Sequence, residues 1–209
     1  MARTFSVAVL LLLAGCAGQS ARWADAGRPA VDVEALAGAR AATVLEGRYG
    51  GVLHSPVAQR RLEHLGATLV TARPALQRDY HYFLLDSDEL NAFSLPGGRL
   101  YLTRGLYDSL TTDAQLAGVL AHELAHLENR DHFKSRAVPS TEMLDRELAA
   151  DARAAEYLRA TGVSPMALAE VVQLVANVQP PGWADTRCNQ LLRLSLPNGG
   201  AAETLAVAP

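Results

Sequence analysis

The sequence predicts an α+β fold, mainly helical around a small antiparallel or mixed sheet. Three observations predict it. Long Ala/Leu/Val-rich stretches repeat their apolar residues at helical spacing, and two short strand-like runs flank the turn Pro96-Gly97-Gly98. The length of 209 residues with 49% hydrophobic content suits one domain with a real core and is short for two. A net charge of -3 leaves no long basic stripe, which argues against a nucleic-acid partner.

Residues 1–15 combine Arg3, an apolar run over 7–13 and small residues, the layout of a removable secretory signal too short to span a bilayer. Their end, Leu13-Ala14-Gly15-Cys16, resembles the bacterial lipobox, which implies cleavage before Cys16 and acylation of its thiol. Acyl chains would hold the protein on a membrane without a spanning helix. Ala17 stands where an inner-membrane retention signal would place aspartate, so the resemblance implies sorting to the outer membrane. With Cys16 acylated, Cys188 has no partner in its own chain and is expected to be buried as a small hydrophobe. Residues 16–30, small, polar and punctuated by Gly and Pro, read as a flexible tether.

Residues 31–45 and 57–71 are expected to be packing helices, the second opened by Ser55 as cap and Pro56 at the first helical position. His54 and His64 lie there singly and read as surface or satisfied core residues. Residues 80–85 form an aromatic and apolar strand, and 91–95 and 99–103 form a hairpin about Pro96-Gly97-Gly98, where glycine permits positive φ and another backbone can come close. Thr112 with Gln115 is a capping-box pattern ahead of a central helix expected to run to about His132. Leu116, Val119, Leu120, Leu124 and Leu127 supply its buried stripe. Ser140 is expected to cap a helix over 141–160, and a third helix from Ser164-Pro165 stops at Pro180-Pro181. The folded domain thus spans 31–196, and 197–209 reads as a disordered tail.

Inside the central helix stands His122-Glu123-Leu124-Ala125-His126. Two histidines four apart lie one above the other, so their imidazoles can converge on one zinc ion while Glu123 reaches a water beside it. Hydrolytic zinc commonly takes two His and one Glu. Glu147 on the next helix is the candidate third ligand. Asp151, one turn further along the same face, is placed to accept the free ring N–H of a ligating histidine. A rival third ligand is His132, ten residues after His122, although that geometry needs glycine where Asn129 stands.

Taken together, these residues resemble the M48 family of zinc metallopeptidases, membrane and periplasmic quality-control proteases. The resemblance covers roughly residues 55–160. It rests on the His-Glu-Leu-Ala-His run, Asn91-Ala92-Phe93 with Pro96-Gly97-Gly98, Thr103-Arg104-Gly105-Leu106 and Glu147-Leu148-Ala149-Ala150-Asp151. It implies a zincin-like fold, one Zn2+ per chain, and an edge strand near Asn91, Phe93, Gly97 and Gly98 that receives extended protein substrate. Many relatives carry a His-Pro pair ahead of an arginine; here Gln179-Pro180 and Arg187 stand there, which makes Arg187 the candidate oxyanion stabiliser and removes the regulating histidine. The chain ends before the helical-repeat domain of some periplasmic relatives, so partner recruitment is expected to use the catalytic domain itself.

The expected activity is a zinc-dependent endopeptidase, anchored by lipid at Cys16 to the periplasmic face of the outer membrane, that cuts unfolded or misassembled envelope proteins. Glu123 is its general base and acid. The competing class is a lipid-anchored zinc-scaffold protein that binds envelope clients or assembly partners without cutting them; the presence of Glu123 favours the enzyme. Substrate identity and oligomeric state are not legible in these residues.

Overall fold

The computed structural model describes residues 33–73, 79–135 and 137–196. The signal segment, Cys16, the tether and the tail lie outside the described residues. The chain runs α1 (Val33–Arg48), α2 (Pro56–Thr71), β1 (His81–Leu85), β2 (Ala92–Leu95), β3 (Arg99–Thr103), α3 (Arg104–Ser109), α4 (Asp113–Glu128), α5 (Ser140–Ala160), α6 (Met166–Leu174) and α7 (Trp183–Ser195). This is the expected α+β, zincin-like arrangement, and its three-stranded sheet is mixed. Strand β3 is central, parallel to β1 and antiparallel to β2.

The sheet divides the apolar residues into two layers because successive side chains on a strand face opposite ways. Tyr82, Leu84, Leu100 and Leu102 join the main core with α2, α4, α5 and α6. On the other face, Phe93, Tyr101 and Leu85 pack beneath Ala42 and Leu45 of α1 and Tyr49 just after it. Register places Phe83 and Phe93 on either side of Tyr101, with ring centroids 4.8 and 5.0 Å away, so one aromatic ladder crosses all three strands.

The turn between β2 and β3 is tight enough to need both glycines, Gly97 at φ 78° and Gly98 at φ 76°. Helix α1 rests on it. A β-carbon on Gly97 would lie 2.7 Å from Ala35 Cα. The end of β3 is tied to the segment before β2 by the fully buried Thr103, whose Oγ1 accepts from Asn91 N at 3.0 Å and donates to the Glu89 carbonyl at 2.6 Å.

Helix α2 begins as expected, with Ala58 N donating to Ser55 Oγ at 3.3 Å. At α4, Gln115 N donates to Thr112 Oγ1, but the glutamine side chain accepts from Thr111 N rather than closing the box on Thr112. Helix α4 is also buried around most of its girth, not along a single leucine stripe: Ala117, Gly118, Ala121 and Ala125 are covered as well. Small residues allow this, since a β-carbon on Gly118 would come within 3.1 Å of Leu168 Cα in α6.

Three boundaries differ from those the sequence predicts. Helix α4 ends at Glu128, not near His132; Asn129 is its right-handed cap, Arg130 turns left-handed at φ 56°, and residues 131–133 make a 3-10 turn. Ser140 is the first residue of α5 rather than its cap, and Pro139 stands at the cap position. The helix expected to reach Pro180-Pro181 ends at Leu174; a 3-10 turn follows at Ala176–Val178, and beyond the prolines Gly182 at φ 80° starts a further helix, α7, which buries Ala184, Arg187 and Leu191. His54 and His64 are exposed, as expected. Cys188 is only partly buried, and its thiol donates to the Ala169 carbonyl at 3.5 Å. No helix among the described residues is long and apolar enough to cross a membrane.

Gly38 tests how α1 is seated. A β-carbon there would overlap the Pro96 carbonyl oxygen, so Gly38→Ala should push α1 off the turn and cost ~1–3 kcal/mol in denaturant unfolding. An unchanged midpoint would show that α1 does not rest on this turn.

Candidate metal centre

Helix α4 sets His122 above His126, and α5 crosses it through its alanine-rich face to bring Glu147 alongside. The two Nε2 atoms are 3.0 Å apart, with the rings nearly perpendicular at 89°. Glu147 Oε2 lies 3.3 Å from His122 Nε2, and Oε1 lies 3.6 Å from His126 Nε2. Among the described residues these three form the one group whose potential ligand atoms all lie within 4.8 Å of one another, and His132 is not in it.

Each imidazole has its own carboxylate on the far side. His126 Nδ1 meets Asp131 Oδ2 at 2.7 Å. His122 Nδ1 lies 3.0 Å from Asp151 Oδ1, within ion-pair reach but off the line of a good hydrogen bond. A proton drawn to Nδ1 by these acids leaves a lone pair on each Nε2. Two such lone pairs and a carboxylate facing one another repel unless a proton or a cation lies between them, so this donor set fits a metal ion. Its N/N/O composition suits zinc.

Asp151 is fully buried, at 0% exposure, and so cannot belong to a solvated face. Arg187 from α7, 6% exposed, compensates it with a two-pronged contact, Nε to Oδ2 at 2.7 Å and Nη2 to Oδ1 at 2.8 Å. The remaining Nη1 reaches Gln179 Oε1 and Glu147 Oε2, both at 3.2 Å. The guanidinium is thus spent on bracing the carboxylates, while Gln179 also donates to the Val172 carbonyl at 3.2 Å. Glu123, 6% exposed, follows His122 directly on α4.

The residues expected at the substrate edge lie differently. Strand β2 is a sheet edge, but Phe93 points beneath α1, Asn91 donates to Tyr49 Oη at 2.8 Å, and Gly97 and Gly98 are covered by Ala35 and Asp79. What β2 offers outward is backbone rather than these side chains. Asp131 is a site residue that the sequence pattern does not reveal, because five positions after His126 it would point away on a continuous helix.

Residues 56–145 match the sequence profile of Peptidase family M48. Over that stretch, which is less than half of the chain, the sequence is similar to this family. The matched stretch includes α4 and stops two residues short of Glu147. Similar proteins include the beta-barrel assembly-enhancing protease of Escherichia coli (strain K12), 33% identical over 79 residues, which is 38% of this chain and 16% of that protein. The protein of that name from Yersinia pestis is 30% identical over the same length and shares. Metalloendopeptidase OMA1, mitochondrial, of Bos taurus is 44% identical over 43 residues, 21% of this chain and 8% of that protein. The match to the beta-barrel assembly-enhancing proteases thus spans about a sixth of their length. Across the M48 family the metal is zinc, and a centre of His122, His126 and Glu147 is consistent with that.

The charges set a pH signature for the metal-free protein. Burial opposes ionisation of Asp151, but Arg187 and His122 override it and hold its carboxyl below the usual range; Glu147 is held low against burial by His122, His126 and Arg187. These folded values lie below the unfolded ones of 3.8 and 4.5, so their stabilisation is present above those values and lost as pH falls. His122 runs the other way. Burial lowers its pKa, yet Asp151 and Glu147 push it up to about 10, so its stabilisation is complete below 6.5 and lost as pH rises through about 10. Thermal unfolding of metal-free protein should therefore be highest near pH 5–6.5 and fall on both sides. A midpoint that keeps rising to pH 10 would contradict this charge arrangement.

Proposed function

We propose that this chain is a zinc-dependent endopeptidase of the bacterial envelope, anchored through acylated Cys16 at the periplasmic face of the outer membrane. Its substrates are unfolded or misassembled envelope proteins. Residues 1–15 are its removed signal, 16–30 its tether, 31–196 its peptidase domain and 197–209 its tail. The observation that carries the reading is the convergence of His122, His126 and Glu147 within 4.8 Å, with a carboxylate behind each imidazole.

In this reading His122 Nε2, His126 Nε2 and Glu147 hold one zinc ion, which when bound supplies polarisation of the scissile carbonyl and a more acidic water. Glu123 takes the proton of the attacking water and returns it to the leaving amine, so one carboxylate serves both halves of the reaction. Arg187 acts indirectly, keeping Asp151 and Glu147 ionised and in place. That assignment replaces the oxyanion role, because its donors already have carboxylate partners.

Substrate enters as an added strand on β2. The edge is short, the side chains of Asn91 and Phe93 are engaged within the fold, and Gly97 and Gly98 carry none, so recognition rests on main-chain hydrogen bonds more than on sequence. Such recognition suits any extended, unfolded segment. Similarity to a beta-barrel assembly-enhancing protease and to a mitochondrial metalloendopeptidase supports proteolysis.

Purified mature protein should contain one zinc per chain and hydrolyse casein, with activity lost to a chelator and restored by zinc. Glu123→Gln should keep the zinc and lose activity by about 10²-fold or more. Full casein hydrolysis by that variant would remove the assignment of Glu123, and zinc-loaded wild type that cuts nothing would favour the client-binding protein.

A further inference from the structure

The contact between Asp131 and His126 is shorter than the one between Asp151 and His122, and no motif singles it out. Asp131 reaches His126 only because the chain reverses at Arg130. Arg130 has φ 56° and ψ 36°, a left-handed conformation that is unfavourable for a non-glycine residue and persists only where surrounding contacts impose it. Those contacts are present. Arg130 Nη2 pairs with Glu34 Oε1 of α1 at 2.5 Å, and its guanidinium lies 5.1 Å from the centre of the Phe133 ring. The reversed chain then makes a 3-10 turn, in which Lys134 holds Asp131 Oδ1 at 2.6 Å and leaves Oδ2 for the imidazole at 2.7 Å.

We infer that Asp131 is a positioning residue for His126: it accepts a hydrogen bond from the Nδ1 N–H, which keeps the proton on that nitrogen, fixes the ring orientation and leaves Nε2 as the metal-binding nitrogen. The inference rests on the zinc-centre reading above. The physical need is plain, since a neutral imidazole can carry its proton on either nitrogen and only one tautomer aims a lone pair at Glu147 and His122. Asp151 faces the other histidine in the same way, braced by Arg187 as Asp131 is braced by Lys134. The centre therefore has two orienting acids. One comes from the helix that supplies the third ligand and the other from the turn that follows the histidine helix.

The test is zinc affinity, measured by chelator competition on the full mature chain, for wild type, Asp131→Asn and Lys134→Ala. Asparagine keeps the size but not the charge, and Asp131→Asn should weaken zinc binding by about 10–100-fold. Lys134→Ala should weaken it less, because the carboxylate remains. Asp131→Asn that folds and binds zinc within twofold of wild type would overturn the inference. If that variant does not fold, nitrogen-15 histidine spectra of zinc-loaded wild type decide alone: His126 should ligate through Nε2 and carry a hydrogen-bonded Nδ1 proton, and ligation through Nδ1 would overturn the inference. Wild type that binds no zinc would instead sink the zinc-centre reading, a distinct result.

Discussion

The centre depends on one buried charge. Asp151 has no exposure to water, and a lone carboxylate there would be costly by several kcal/mol. Arg187 meets both of its oxygens, and because Arg187 comes from α7, the last helix is drawn against α5. The same guanidinium reaches Glu147 and Gln179. One arginine thereby locks together the third candidate ligand, the acid behind His122 and the segment between α6 and α7. Replacing such a pair with apolar residues often costs a protein little stability. Here the pair serves geometry, since an apolar core would leave His122 free to turn.

Around this clamp the fold uses small residues where elements must come close. Ala121 and Ala125 of α4 and Ala150 and Ala154 of α5 are buried together in the main core, so the helices can approach and their polar residues can share one site. Gly118 does the same toward α6, and Gly66 leaves room for Tyr82, whose ring a β-carbon would overlap. The ion-pair cluster of Arg73, Glu128, Arg153 and Glu156, with Tyr157 donating to Glu128 at 2.9 Å, ties the segment just after α2 to α4 and α5 away from the site. These half-buried pairs add register more than energy.

Much of this is legible in the sequence because it depends on short-range periodicity. Residues four apart share a helix face, so spacing alone groups His122 with His126 and Glu147 with Asp151. Proline and glycine mark the β2–β3 turn and the start of α2. The parallel pairing of β1 with β3 is not legible, since no local signal says which strand a distant run will join. Helix α7 escapes a sequence pattern in which Pro180-Pro181 reads as an ending, while the left-handed Gly182 just after it permits a new start. Asp131 escapes it for a related reason: the left-handed Arg130 is held in part by Glu34 of α1, far away in sequence.

The chain on its own determined the helix and strand types, the mixed α+β class and the two pairs of acids and histidines, because spacing along a helix is a local property. Only the folded molecule decided which histidine each acid faces, that Arg187 braces carboxylates, and that the edge of β2 offers backbone while Phe93 turns under α1. Those outcomes depend on helix packing and on contacts between residues far apart in sequence, and no local rule carries them.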